Sequence, residues 1–131
     1  MKTDVEIRQD IRAIVADSGI ASSISGSVRI IPRATGSKQE DCIISVLDGD
    51  NGQIQDAIVN VNVYVPNITS GGDSVEDVSR TKPLAKICET VLDRGSGDGF
   101  RFHLEKQRIL PVNGRDEHVI NNRIRYKYNN E

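Results

Sequence analysis

The stretch Ile58-Val59-Asn60-Val61-Asn62-Val63-Tyr64-Val65 decides how this chain folds. Val59, Val61, Val63 and Val65 alternate with Asn60, Asn62 and Tyr64. Successive side chains on a strand point to opposite faces, so one face here is wholly aliphatic and the other polar. That pattern predicts a strand of an antiparallel sheet with one packed face and one wet face. Just upstream, Cys42-Ile43-Ile44-Ser45-Val46-Leu47 reads as the partner arm. Between the two, Asp48-Gly49-Asp50-Asn51-Gly52 is dense in residues that tolerate positive φ and reads as the loop closing a hairpin.

Towards the N-terminus, Val28-Arg29-Ile30-Ile31-Pro32 is short and β-branched. Pro32 would deny a central strand one ladder donor, so a short edge strand is expected. Thr3-Asp4-Val5-Glu6 has the form of a capping box, and Ile7, Ile11, Ile14 and Val15 recur behind it at helical spacing. The expectation is a helix over 4–17, stopped by Gly19, with one apolar stripe lying on a core. Towards the C-terminus, Pro66 and the polar stretch 67–73 end the central strand, and Ser74-Val75-Glu76-Asp77 offers a second capping arrangement. Pro83 stands where a first helical turn accepts proline; Leu84, Ile87, Cys88, Val91 and Leu92 follow the periodicity of a packed helix, ended by Gly95.

The last third is extended again. Phe100, Phe102 and Leu104 alternate with Arg101 and His103, Asn113-Gly114 supplies a turn, and Ile120, Ile124, Tyr126 and Tyr128 alternate with Asn121, Arg123, Arg125 and Lys127. The order of elements predicts an α+β fold, a mainly antiparallel sheet of about five strands with two helices packed on one face, with residues 1–131 forming a single domain.

Composition excludes several functions. The chain has 131 residues, the size of one compact domain. Seventeen basic against 19 acidic residues give a formal charge of −2, no global reason to bind nucleic acid or an anionic membrane; any basic surface must be local. Apolar runs are too short to span a bilayer, and MKTDVEIRQD lacks the layout of a signal peptide, so a soluble protein made inside the cell is expected. Two cysteines, Cys42 and Cys88, are too few for a disulfide framework or a thiolate metal site and read as reduced core residues. With no Trp and 4% aromatic residues, a base-stacking surface is not expected, nor is sequence-specific nucleic-acid binding.

No constellation of reactive side chains stands out. Asp48, Asp50 and Asn51 lack the distant Glu and flanking helices of a calcium loop. Gly95, Gly97 and Gly99 run out of a helix instead of into one, so they read as a helix cap and flexible link and not as a phosphate cradle. His103 and His118 have no ligand or catalytic partner at short spacing, and no nucleophile elbow occurs around the serines. The expectation is no catalytic residue, no metal and no cofactor. Charge is more informative: residues 1–98 carry 10 basic and 15 acidic side chains (net −5), residues 99–131 carry 7 and 4 (net +3). Opposed poles can steer a protein onto a copy of itself or a partner.

A short N-terminal helix, a weak strand ending Ile30-Ile31-Pro32, a hairpin whose second arm is Ile58 to Val65, a helix at Leu84 to Leu92 and two closing strands together resemble the small tail terminator, or tail completion, proteins of long-tailed bacteriophages. The resemblance implies a non-enzymatic virion protein, assembled in the host cytoplasm and located in the tail. It would form a homo-oligomeric ring, a hexamer, that caps the tail tube protein and meets the head-tail connector protein. Arg123, Arg125 and Lys127, on one strand face, are then expected at the oligomer interface or in the lumen. Alternatives are a head-tail adaptor or other neck protein, and a stand-alone ligand- or protein-binding module of cellular origin. An enzyme would need His103 or His118 to meet a carboxylate such as Glu105 or Glu117.

Overall fold

The computed structural model describes residues 2–52 and 54–129. Helix α1 (Asp4–Ala16) begins with the capping box as expected: the Glu6 amide donates to Thr3 Oγ1 at 3.3 Å, and the Thr3 amide donates to the Glu6 carboxylate at 3.1 Å. The backbone hydrogen bond from Thr3 leads the causes that hold the Glu6 carboxyl below its ordinary value. Ile7, Ile11 and Val15 are the buried stripe. Gly19 does not end the helical region. It opens a second short helix, α2 (Gly19–Ser23), because the Ser18 hydroxyl accepts from the Ile20 amide and caps it anew.

Strand β1 (Val28–Arg29) is the short edge strand expected, but it pairs parallel to β2 (Cys42–Asn51), so the sheet is mixed. Strands β2 and β3 (Ile54–Pro66) pair antiparallel. The residues 48–51 expected in the loop are strand: a bulge between Val46 and Asp48 lets pairing resume and run on to Asn51. Of the expected loop only Gly52 lies outside the two strands. Val59, Val61, Val63 and Val65 are buried as the alternation requires, each contributing about 1.5 to 3 kcal/mol.

The polar stretch after β3 holds a small hairpin, β4 (Ile68–Ser70) and β5 (Asp73–Val75), turning at Gly71 and Gly72, both at positive φ. Helix α3 (Val78–Leu92) starts a turn earlier than Pro83 suggested and is not capped by Ser74. Pro83 is its sixth residue, where the missing N–H leaves the Ser79 carbonyl without its helical donor. Tertiary ties hold that first turn. Arg80 makes two 2.7 Å bonds to the Glu40 carboxylate and one of 2.8 Å to the Ser23 carbonyl, and Thr81 Oγ1 donates to Glu76 at 2.5 Å.

The 95–99 segment is not a flexible link. Residues Arg94–Gly97 form β6, the far edge of the sheet, paired with β7 (Phe100–Pro111). A Cβ at Gly95 would lie 2.5 Å from the Phe102 ring, and one at Gly97 would collide with Phe100, so both glycines are there to let aromatic rings lie against the backbone. Strand β8 (Glu117–Asn129) completes a six-stranded sheet in the order β1-β2-β3-β8-β7-β6. Among the described residues the count is therefore six strands plus a two-stranded arm, and three helices instead of two; the α+β class stands.

Helices and aromatic rings fill one side of the sheet. Tyr126, fully buried, donates to Asp10 of α1 at 2.7 Å and stacks on Phe100, ring centroids 5.3 Å apart. Burial first, then the hydrogen bond to Asp10 and the charge of that carboxylate, raises its phenol pKa above the ordinary value. Cys42 and Cys88 are core residues; burial raises both thiols, Cys88 to about 11. Beneath α3, Gln107 donates to the Ala85 carbonyl and to buried Asn122, both at 2.8 Å, and Asn122 donates to the Val61 carbonyl at 3.0 Å.

Candidate functional site

Among the described residues no helix packs on the other side of the sheet, and register decides what it displays. Arg123, Arg125 and Lys127 alternate with buried Ile124 and Tyr126 on β8, so they share the open side. Across the ladder, Arg125 pairs with His103 and Ile58, and His103 pairs in turn with Arg94. Lys127 pairs with Arg101 and Asp56, and Arg123 with Lys106 and Asn60.

A bulge between Leu104 and Lys106 shapes this surface. Simple alternation from Phe102 and Leu104 would put Lys106 and Arg108 on the helix side. The extra residue, Glu105, shifts the phase, so Lys106 opposes Arg123, Arg108 opposes Asn121, and Gln107 turns inward to Asn122. Three strands thus deliver Arg94, Arg101, Lys106, Arg108, Arg123, Arg125 and Lys127 to one face.

Only part of that charge is neutralised. Arg125 bonds Glu105 at 3.2 Å and lies 3.6 Å from Asp56; the Glu105 carboxylate, ahead of the other influences, holds it more firmly protonated. Arg123 has its Nε buried with no hydrogen-bond partner. A cleft of about 500 Å³ opens between β6 and β8, lined by Arg94, Arg101, His103, Arg125 and Lys127 above Gly95 and Phe102.

Among the described residues neither His103 nor His118 forms a hydrogen bond or ion pair with a carboxylate. His103 stands in this cleft, whereas His118 Nδ1 bonds the Asn67 amide oxygen at 2.7 Å beside the arm. Glu105 is committed to Arg125. Glu117 belongs to a buried ion cluster: Arg33 reaches Asp41 at 2.9 Å and Glu117 at 2.7 Å, with Arg115 on Glu117 at 3.0 Å, Ser37 Oγ on Asp41 at 2.6 Å, and the Arg33 guanidinium 4.4 Å above the Tyr64 ring. Burial would raise the Asp41 carboxyl, but hydrogen bonds from Ser37 and Arg33 and the Arg33 charge outweigh it and hold the group low. This cluster and the Arg80–Glu40 pair pin the 30–41 loop to β8 and α3. Sequence gave no sign of them, since the partners lie 84 and 40 residues apart.

The β4–β5 arm is the second notable surface. Ile68 and Val75 face each other across it, 47% and 36% exposed, and Val78 at the start of α3 is 56% exposed. Among the described residues no group of three or more His, Cys, Asp or Glu gathers as metal ligands do, and no helix is long and apolar enough to cross a membrane.

No protein-family model matches the chain, and no curated protein matches it. The surfaces themselves are the ground for a functional reading.

Proposed function

We propose that this is a non-enzymatic virion assembly protein of the tail-terminator kind: a subunit of a closed homo-oligomeric ring, a hexamer, that caps the phage tail tube and meets the head-tail connector. What carries the reading is the β4–β5 arm. It displays Ile68 and Val75 to solvent and adds nothing to the subunit's own core, and Val78 at the start of α3 is exposed as well. An apolar pair raised on a projecting hairpin suits a heterologous contact, in which the arm of one copy meets a different surface of the next and the ring closes. Two short edge strands, β1 of two residues and β6 of four, leave limited backbone for lateral pairing in the same ring. Arg123, Arg125 and Lys127 then fall on the open sheet face, turned to the lumen.

Light scattering with electron microscopy tests this directly. The protein alone, or with tube protein, gives annular particles and stops tube growth, and Ile68→Ser with Val75→Ser abolishes both while the subunit keeps its circular dichroism spectrum. A chain that stays monomeric at high concentration and leaves tube length unchanged overturns the reading.

A further inference from the structure

We propose that the open face of β6, β7 and β8 binds the phosphate backbone of nucleic acid without regard to base sequence. The chain is weakly acidic overall, yet seven of its 17 Lys and Arg residues lie on this one face of three strands. Six carboxylates elsewhere are already paired with a cation: Asp4 with Arg8, Asp10 with Lys2, Glu40 with Arg80, Asp41 and Glu117 with Arg33, and Glu89 with Lys86. The cations of the open face are not. Only Arg125 has close partners; Arg94 has an exposed Asp93 at 3.8 Å, and among the described residues the other five form no ion pair.

Spacing and residue type select the occupant. Alternate residues on a strand stand about 6.8 Å apart and neighbouring strands about 4.8 Å, so the cations form a grid about 20 Å long. One nucleic-acid strand of that length presents about six phosphates. Five of the seven are arginine, whose forked guanidinium matches a phosphate's oxygens. The cleft between β6 and β8 has no carboxylate in its lining, and its only apolar side chain, Phe102, is buried. A protein partner would need a desolvated apolar anchor at the centre of its contact, which this cleft does not offer; a polyphosphate needs none. The inference concerns the surface of the single subunit and does not require the ring.

The test is fluorescence anisotropy of the full chain with labelled DNA duplexes of unrelated sequence, titrated over a range of salt. Equal affinity for the different sequences is expected, with log K falling against log salt at a slope of about −5, for five or six contacts. The variant R101Q/K106Q/R108Q/K127Q alters exposed or half-buried side chains and removes four contacts, so the slope shrinks by about 3.6 and binding at physiological salt is lost. K38E/K82E changes the net charge equally, but on the 30–41 loop and α3, and binds as the parent does. No binding at low salt, unchanged binding by the fourfold variant, or an equal loss in K38E/K82E overturns the proposal. So does a fourfold variant that keeps its DNA affinity but loses self-association or binding to polyglutamate, which would assign the face to an acidic protein surface. Loss of annular particles with DNA binding intact would overturn the ring alone.

Discussion

Replacing Arg33 by methionine, of similar length and without charge, should be among the most damaging single changes in the fold. Arg33, Asp41 and Glu117 have side chains only 8%, 8% and 5% exposed, so water cannot replace the lost guanidinium. The substitution removes two hydrogen bonds to carboxylates, at 2.9 and 2.7 Å, two to the Ser37 and Gln39 carbonyls, at 3.4 and 3.2 Å, and the cation above Tyr64. Removing one partner of a buried ion pair costs about 3 to 5 kcal/mol. Because Ser37 still serves Asp41 and Arg115 still serves Glu117, the lower part of that range, about 3 to 4 kcal/mol, is expected. For a chain of this size each kcal/mol is about 3 to 5 °C, so Tm should fall by about 9 to 20 °C at pH 7. The deficit should also depend on pH. The Asp41 carboxyl is held low in the native protein, so its contribution is present above the ordinary carboxylate range and is lost as pH falls through the folded-state pKa. Without Arg33 the stranded carboxylate gains by taking up a proton, so the gap between variant and parent should narrow below about pH 4. Calorimetry of both proteins from pH 7 to pH 3 measures it. A gap under about 1 kcal/mol at pH 7, the worth of an exposed ion pair, or one independent of pH, would refute the reasoning.

Gly97→Ala should lower stability by about 1 to 3 kcal/mol, since its methyl would have to displace the Phe100 ring from a packed position; chemical denaturation reads this, and a neutral result would show that β6 moves aside at no cost. Tyr126→Phe should cost about 1.5 to 3 kcal/mol by leaving Asp10 without its buried donor, and in the parent protein an ultraviolet absorbance titration should find one of the three tyrosines ionising well above the ordinary phenol range, a step that the variant lacks.

The elements legible in the sequence were those whose pattern is local. The valine alternation on β3 and the Thr3–Glu6 box depend on neighbours a few residues apart, and both form as read. The arm escaped notice because neither strand buries a face, so no alternation marks it. Gly95 and Gly97 looked like punctuation because the rings that require them come later in the chain and meet them only through pairing. Pro83 misplaced the start of α3 because Glu40 and Ser23, far away in sequence, hold its first turn. For the candidate site, the basic side of β8 could be read from Arg123, Arg125 and Lys127 alone. The contribution of Lys106 and Arg108 could not, since periodicity carried on from Phe102 and Leu104 points them to the opposite side.

That shift of phase has a corollary for how this chain can vary. The display of Lys106 and Arg108 is set by the count of residues between Leu104 and Gln107, so losing Glu105 would exchange inner and outer positions from there to Pro111 while leaving every other amino acid unchanged. Drift can replace side chains along β7 far more freely than it can lengthen or shorten that strand. In an alignment of related chains, gaps should gather at Gly71-Gly72 and at 112–116 and be missing from 100–111.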